Sequence, residues 1–308
     1  MNSHEGETMI SQSMGRQYEV NGDQLVLRQS GVGRPTVVFL PGAGLVGLDY
    51  LNVHNAAAEL TTSVLYDRGG TGWSDPKGLP RTASDAVDEL HALLRVAEVP
   101  GPYLLVGHSL GAVYARRYAQ RFPDAVAGML LLDPYHEDTP ARMPEEVAQL
   151  SEQMRDQPLP EPTQEIIEFF GGLFAGKLAQ WPAEVRQPLM EYHRDAWRTG
   201  AAEAANVHEV GEEVRAGGAE PDVPVIVLSA MGDDPFRLAQ LPERLERGFS
   251  DVRCALHGEL AASFPRGEHR VLDDAGHNFM HVDRQDAVLQ AIRDLLVRQA
   301  APAGSGGA

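Results

Sequence analysis

The sequence predicts an α/β fold in which a doubly wound, mainly parallel sheet carries a helical lid inserted after its sixth strand. Short apolar runs alternate with helical patterns along the chain, which is the order of elements that builds a parallel sheet. Most of these runs are apolar throughout, as expected of strands that helices cover on both faces. The gap between the sixth and the seventh strand is too long for a simple crossover, and it predicts the lid.

The first two predicted strands are polar segments, residues 16–20 and 24–28, which we interpret as an antiparallel hairpin at the sheet edge. Apolar runs predict the remaining strands at residues 36–40, 63–66, 103–106, 128–132, 223–229 and 269–272. Helical patterns occupy residues 83–96, 110–121 and 285–298. We therefore expect a single domain over residues 15–299, with disordered tails at 1–14 and 300–308.

The predicted lid covers residues from about 135 to 221 and combines helix-like segments with large side chains. Between residues 134 and 222 there are 18 Asp and Glu against 7 Lys and Arg, a net charge of −11. Most of these carboxylates are expected on a solvated helical surface. The large side chains are Phe169, Phe170, Phe174, Trp181, Tyr192 and Trp197.

The composition excludes several classes of function. A net charge of −18 over 308 residues disfavours binding to nucleic acid and to anionic membrane surfaces. Cys254 is the single cysteine, so no internal disulfide forms, and no Cys/His cluster has metal-ligand spacing. We expect neither a metal nor a cofactor. The first residues lack the pattern of a signal peptide and no apolar run is long enough to span a bilayer, so we expect a cytoplasmic protein of undetermined oligomeric state.

One motif predicts a catalytic serine. Residues 107–111 read Gly-His-Ser-Leu-Gly, between an apolar strand and a helical pattern. This G-x-S-x-G sequence suits a sharp strand-to-helix turn, because glycines leave room beside a serine whose hydroxyl must stand clear of the sheet. The helix that follows would direct its N–H groups and positive dipole end at the reacting centre. Ser109 is therefore the candidate nucleophile.

A second motif competes with this interpretation. Gly42, Gly44 and Gly47 follow the strand at residues 36–40 in a G-x-G-x-x-G pattern, and Asp67 stands twenty residues after Gly47. A dinucleotide-binding unit has a similar arrangement, with the acid holding the ribose. However, the helix begins after the glycines and is poorly aimed at a pyrophosphate, and this interpretation leaves Ser109 without a role.

Three segments together resemble the α/β-hydrolase superfamily. Residues 66–75 (YDRGGTGWSD) are similar to its Y-D-x-x-G-x-G-x-S turn, residues 107–111 to its nucleophile elbow, and residues 274–279 (DAGHNF) to its catalytic-histidine loop. All three occur in the superfamily's order. The resemblance implies an α/β-hydrolase fold with Ser109 as nucleophile and His277 as the base.

The same resemblance implies an oxyanion hole built from backbone N–H groups of Ala43 and Leu110. Where the superfamily has His-Gly after the corresponding strand, this chain has Pro41 and Gly42. The proline removes a side chain that often braces the loop but leaves the N–H that would bind the oxyanion. Gly42 then has a role without any nucleotide, because the backbone must approach the substrate closely.

The acid that would orient His277 has two candidate positions. The usual superfamily position follows the strand at residues 223–229 and offers Asp233 or Asp234 in a Gly-Asp-Asp-Pro turn. Some members carry the acid one strand earlier, where this chain has Asp133 directly after a buried strand and before a proline. We favour Asp133 over Asp233, since the sheet would hold it while the Gly-Asp-Asp-Pro segment has the composition of a solvated turn.

These residues predict a serine hydrolase that cleaves an ester, lactone or thioester of a mainly apolar small molecule through an acyl-enzyme intermediate. Two other histidines are assigned structural roles: His108 packs under the elbow, and His281 lies after the catalytic loop. A non-hydrolytic relative, such as a lyase or an enzyme of cofactor-free oxygen chemistry, is the alternative, because one triad serves several reactions.

Overall fold

The computed structural model describes residues 14–155, 161, 163–238 and 241–300. Its centre is an eight-stranded sheet, and the prediction of a doubly wound, mainly parallel sheet is confirmed. The strands are β1 (Arg16–Val20), β2 (Asp23–Ser30), β3 (Thr36–Leu40), β4 (Ser63–Tyr66), β5 (Tyr103–His108), β6 (Val126–Leu132), β7 (Val225–Ala230) and β8 (Gly267–Leu272). Their spatial order is β1-β2-β4-β3-β5-β6-β7-β8, with antiparallel pairing only at β1–β2 and β2–β4.

Helices cover both faces of this sheet. They are α1 (Leu51–Ala58), α2 (Ala83–Val96), α3 (Leu110–Arg121), α4 (Thr139–Arg142), α5 (Glu145–Arg155), α6 (Gln164–Lys177), α7 (Ala183–Ala204), α8 (Val207–Ala216), α9 (Pro235–Leu238), α10 (Glu243–Ser263), α11 (Met280–Asp283) and α12 (Gln285–Ala300). Because side chains alternate along a strand, Val38 and Leu40 of β3 join the core under α2 and α3. Val37 and Phe39 of the same strand join the core under α1 and α12. No helix among the described residues has both the length and the apolar character needed to cross a membrane.

Five helices, α4 to α8, lie between β6 and β7, where the sequence predicts an insertion. Part of the aromatic set fixes these helices to the core. Trp181 is buried and its Nε1 donates a hydrogen bond to the carbonyl oxygen of Leu48 at 2.8 Å, and Phe174 is also buried. Phe169, in contrast, is 58% exposed. The large side chains therefore divide between packing and exposed positions.

A single arginine ties both ends of this insertion to the helix after Ser109. Arg116 of α3 is 7% exposed and donates two hydrogen bonds to Glu137, just after β6, at 2.7 and 3.0 Å. Its Nε donates a third, at 2.8 Å, to Glu220, shortly before β7. The chain thus leaves and re-enters the sheet at points fixed to one side chain.

The structure moves two predicted boundaries. The sequence predicts Met14 in a disordered tail, but its side chain is 5% exposed and belongs to the core on the α1 side of the sheet. The rest of the two predicted tails, residues 1–13 and 301–308, lies outside the described residues, and α12 continues to Ala300, where the sequence predicts the second tail to begin. The sequence pattern does not predict the long helix α10, because its apolar positions are interrupted by many charged residues.

Candidate active site

The chain turns sharply from β5 into α3 at Ser109. The serine has a φ of 53° and a ψ of −117°, a strained conformation that lifts its side chain above the carboxyl end of the sheet. A Cβ on Gly107 would lie 2.6 Å from the backbone of α3, and one on Gly111 would lie 2.0 Å from the carbonyl oxygen of Leu40. The two glycines therefore allow α3 to pack directly against β5 and β3.

The structure brings Ser109, His277 and Asp133 into one hydrogen-bonded chain. Nε2 of His277 lies 3.1 Å from Oγ of Ser109, and Nδ1 lies 2.5 Å from Oδ2 of Asp133. Because a carboxylate only accepts, Nδ1 carries the proton and Nε2 is free to accept from the serine hydroxyl. Burial and the positive charge of Arg237 lower the pKa of His277 below its usual value, against the opposing effect of Asp133.

Asp133 stands directly after β6 and is 1% exposed. Its Oδ1 accepts a hydrogen bond from the N–H of Ala230 at 3.0 Å. Besides His277, Oδ2 contacts Nη1 of Arg253 and, at 3.3 Å, Nη2 of Arg237. Burial raises the pKa of this carboxyl, but the two guanidinium groups and the bond from His277 outweigh burial and hold the pKa well below its usual range. Asp133 is therefore ionised at neutral pH.

The alternative acids lie in the turn after β7 and do not contact the His277 ring. Asp233 is exposed. Asp234 is 2% exposed, and its Oδ2 accepts from the backbone N–H of Asn278 at 2.8 Å. Its Oδ1 accepts from the N–H groups of Phe236 and Arg237 at the start of α9. Asp234 thus fixes the loop that carries the histidine while Asp133 binds the ring.

Two backbone N–H groups near Ser109 are available to bind an oxyanion. Leu110 is the first residue of α3, so its N–H has no acceptor within the helix. In the loop after β3, the N–H groups of Gly42 and Gly44 both donate to buried side chains. Ala43 lies between them, and its N–H has no hydrogen-bond acceptor among the described residues. These are the two groups that the family resemblance implies for the oxyanion hole.

A buried tyrosine connects this loop with the elbow, and no motif in the sequence indicates it. The N–H of Gly42 donates to Oη of Tyr50 at 3.3 Å, and Tyr50 lies 2.6 Å from Nδ1 of His108. Nε2 of His108 donates to the carbonyl oxygen of His277 at 2.9 Å, so Nδ1 accepts from Tyr50. His281 stacks on Tyr50 with 4.2 Å between ring centroids. His108 and His281 therefore brace the site from below.

The glycine-rich loop does not have the geometry of a dinucleotide site. The carboxylate of Asp67 is 3% exposed and accepts from the N–H groups of Gly47 at 2.9 Å and Trp73 at 3.1 Å. Gly44 packs against α7, where a Cβ on it would lie 2.9 Å from Cα of Gly200. The acid is used within the protein and the loop is covered, so neither is open to a nucleotide. Among the described residues, no group of three or more His, Cys, Asp or Glu side chains is arranged to hold a metal ion.

Comparison with known proteins identifies the family of the chain. A sequence model described as the alpha/beta hydrolase family matches residues 37–291. The chain belongs to the alpha/beta hydrolase family. Among curated relatives of this hydrolase, the uncharacterized protein YqjL of Bacillus subtilis is 34% identical over 127 residues, which cover 41% of this chain and 50% of YqjL. The chain spans half or less of the length of the curated relatives it matches.

Solved structures of other alpha/beta hydrolases share the fold over nearly the whole chain. The enol-lactonase from Burkholderia xenovorans LB400 has a TM-score of 0.62 and 20% identity, with coverage of 92% of this chain and 100% of the lactonase. A thermophilic esterase from Thermogutta terrifontis has a TM-score of 0.61 and 19% identity, with coverage of 93% and 100%. At this identity the likeness concerns the fold.

Proposed function

We propose that this alpha/beta hydrolase is a serine hydrolase that cleaves an ester, lactone or thioester through an acyl-enzyme intermediate. The observation that carries the proposal is the chain from Ser109 through His277 to Asp133, with both ring nitrogens of the histidine in the required roles. The N–H groups of Ala43 and Leu110 lie on the loop and helix that flank the serine, and they support the same reaction.

In the first half of the reaction, Oγ of Ser109 attacks the substrate carbonyl carbon while its proton passes to Nε2 of His277. The carbonyl oxygen becomes an oxyanion, which accepts hydrogen bonds from the N–H groups of Ala43 and Leu110. Asp133 stabilises the imidazolium that forms and keeps its Nδ1 proton in place. When the tetrahedral intermediate collapses, Nε2 returns the proton to the leaving oxygen or sulfur, and the acyl group remains on the serine.

In the second half, water replaces the leaving group. His277 takes a proton from the water as its oxygen attacks the acyl carbon, and the same two N–H groups bind the second oxyanion. Collapse releases the carboxylic acid, and the proton on Nε2 returns to Oγ of Ser109. Proton transfer through His277 and the backbone dipoles at Ala43 and Leu110 supply the stabilisation that acyl transfer requires.

We further propose that the substrate is apolar and uncharged. Phe279, two residues after His277, lies 5.1 Å from Phe174, ring centroid to ring centroid. Phe236 stacks on Phe170 at 4.2 Å and links the start of α9 to α6. An aromatic cluster thus includes Phe279 of the loop that carries His277, and the inserted segment that supplies Phe170 and Phe174 has a net charge of −11 from 18 acidic and 7 basic residues. Both features favour neutral acyl or alkyl groups.

The main test is hydrolysis of a panel of chromogenic esters, lactones and thioesters of varied chain length, with and without a fluorophosphonate. We expect the fluorophosphonate to label Ser109 alone and to abolish turnover. Ser109→Ala should lower kcat by about 10⁴-fold and keep the circular dichroism spectrum, because little packing is lost. Full turnover by the alanine variant would contradict the mechanism. Labelling of Ser109 without turnover of any compound in the panel would instead favour the lyase or oxygen-chemistry alternative, because one triad serves several reactions.

A second measurement tests the substrate class. Two esters with the same acyl group, one with a neutral and one with a tetra-anionic alcohol portion, should differ in kcat/KM in favour of the neutral ester. The difference should shrink as salt is added, because salt screens the field of the acidic insertion. A faster reaction of the anionic ester at low salt would show that the substrate does not approach the active site past this acidic insertion.

A further inference from the structure

An ion pair buried between the insertion and the sheet acts on the loop that carries Ala43. Arg68, after β4, and Glu203, near the end of α7, are 2% and 3% exposed. Nε of Arg68 donates to Oε1 of Glu203 at 2.9 Å, and Nη2 donates to Oε2 at 3.0 Å. A buried pair of this kind persists only where its remaining donors and acceptors are also satisfied. Those remaining contacts identify what the pair does.

Among the described residues, the remaining hydrogen bonds of the pair all fall on the loop at residues 41–44. Nη1 of Arg68 donates to the carbonyl oxygen of Pro41 at 2.6 Å, and Nη2 donates to that of Gly42 at 3.0 Å. Oε2 of Glu203 accepts from the N–H of Gly44 at 2.8 Å. The pair therefore holds the loop on both sides of Ala43.

The contact with Gly42 has a direct effect on the N–H of Ala43, because both atoms belong to one peptide unit. This peptide bond is trans, so its carbonyl and its N–H point in opposite directions. The guanidinium of Arg68 fixes the carbonyl edge and thereby the direction of the N–H on the other edge. A cation on the carbonyl oxygen also polarises the unit and makes the N–H a stronger donor.

The backbone of α7 lies against the same loop. Gly44 has a φ of 73°, and a Cβ on it would meet Cα of Gly200 at 2.9 Å. A Cβ on Gly200 would meet Cα of Gly44 at 3.3 Å, its N at 3.5 Å and the carbonyl oxygen of Ala43 at 3.6 Å. The helix and the loop are therefore in direct backbone contact at these two glycines.

We propose that Glu203 and Arg68 are positioning residues for the oxyanion hole, so that the helical insertion completes the catalytic apparatus and does not serve the substrate alone. The inference rests on the proposed acyl-transfer function. Glu203 holds Arg68 and the N–H of Gly44, and Arg68 holds and polarises the peptide that donates from Ala43. Pro41 stands where the family resemblance implies a histidine side chain, and here the ion pair holds the loop.

The first test compares Glu203→Gln with Glu137→Gln. Each change removes one carboxylate charge from a bidentate Arg–Glu pair that binds the insertion, buried for Glu203 and partly buried for Glu137, but only Glu203 contacts the loop at residues 41–44. We expect Glu203→Gln to lower kcat for an activated ester, and the rate of fluorophosphonate labelling, by about 10- to 100-fold. KM should change little, and labelling should still reach one group per chain. Glu137→Gln should keep both rates within about threefold of the unmodified protein.

A second variant decides the matter if Glu203→Gln does not fold. Gly200→Ala favours the helix but places a methyl group in tight contact with Cα of Gly44, at 3.3 Å, and 3.6 Å from the carbonyl oxygen of Ala43, so we expect an unchanged or higher Tm together with a slower labelling rate. The control is Gly176→Ala in α6, where an added Cβ meets nothing within 4 Å.

The outcomes separate this inference from the proposed function. Unmodified rates in both Glu203→Gln and Gly200→Ala, or equal losses in Glu203→Gln and Glu137→Gln, would overturn the positioning role. Absence of labelling and of ester hydrolysis in the unmodified protein would instead overturn the acyl-transfer proposal itself.

Discussion

Asp133 and His277 are joined by a hydrogen bond of 2.5 Å between Oδ2 and Nδ1, although 144 residues separate them in the chain. The same carboxylate oxygen also contacts Arg253 and Arg237. The acid of the proposed triad therefore lies beside two guanidinium groups in addition to the histidine. This arrangement predicts which carboxylate is the acid of the triad and how the activity depends on pH.

We expect Asp133→Asn to lower kcat by about 10⁴-fold, because the amide can hold the wrong tautomer of His277 and cannot stabilise its imidazolium. Asp233→Asn is the matched control, since this carboxylate is exposed and does not contact the ring. The control should lose tenfold or less. Steady-state kinetics of the two variants on one ester measure both values, and the reverse order of losses would refute the assignment.

The pH dependence should follow His277. Protonated His277 cannot accept the serine proton, so activity falls as the pH drops through its pKa. Because burial and Arg237 lower the pKa of His277, we expect the acid limb of kcat/KM to lie below the usual value of 6.5. Arg253→Met removes another charge that lowers this pKa, so the acid limb should move to higher pH.

The control for this shift is Arg247→Met on the same helix α10. Arg247 is 72% exposed and pairs with Glu243, one turn away. Its replacement should leave the pH profile of kcat/KM unchanged. If Arg253→Met leaves the acid limb in place, Arg253 does not lower the pKa of the base.

Two adjacent glycines in α6 should be replaceable with a gain in stability. An added Cβ on Gly171 or Gly172 meets nothing within 4 Å, so neither position needs glycine for steric reasons. Alanine favours a helix by about 0.5–1 kcal/mol over glycine, which predicts a rise in Tm of roughly 2 °C for each change. Thermal unfolding followed by circular dichroism measures the effect. A lower Tm would contradict the prediction. A higher Tm combined with a loss of turnover would indicate that α6 bends during the catalytic cycle.

Gly111→Ala should have the opposite effect. A Cβ there would lie 2.0 Å from the carbonyl oxygen of Leu40 and 2.6 Å from that of Pro41, so α3 would have to move away from β3. We expect a loss of about 3 kcal/mol or more in the free energy of unfolding. The control is Gly78→Ala, where the added Cβ meets nothing within 4 Å. Urea unfolding of both variants measures the difference, and equal stability would contradict the packing argument.

Much of this architecture could be predicted because it depends on local sequence. A buried parallel strand must be apolar throughout, which located β3 to β7 within a few residues. A serine with a glycine two residues before it and another two residues after it, between a strand and a helix, indicates a nucleophile elbow. Asp133 could be preferred over Asp233 because it directly follows a buried strand. In each case the signal lies within about ten residues of the feature.

The long-range polar contacts could not be predicted. Arg68 and Glu203 are 135 residues apart, and Arg253 lies 120 residues after Asp133. Glu203 is one of many acidic residues in the insertion, and the sequence predicts a solvated surface for most of them without indicating which are exceptions. Its burial depends on how α7 packs against the loop at residues 41–44. Nothing in the local sequence distinguishes it from its neighbours.

The contacts of Arg116 have a consequence for how such a protein can be altered. Glu137 and Glu220, at the two ends of the insertion, both accept hydrogen bonds from this one side chain of α3. The segment between them can therefore be treated as a cassette with fixed attachment points. A graft from another hydrolase that joined the chain at Glu137 and Glu220 would leave the contacts of Arg116 in place. To retain the catalytic rate, it would also have to bring a carboxylate to Arg68.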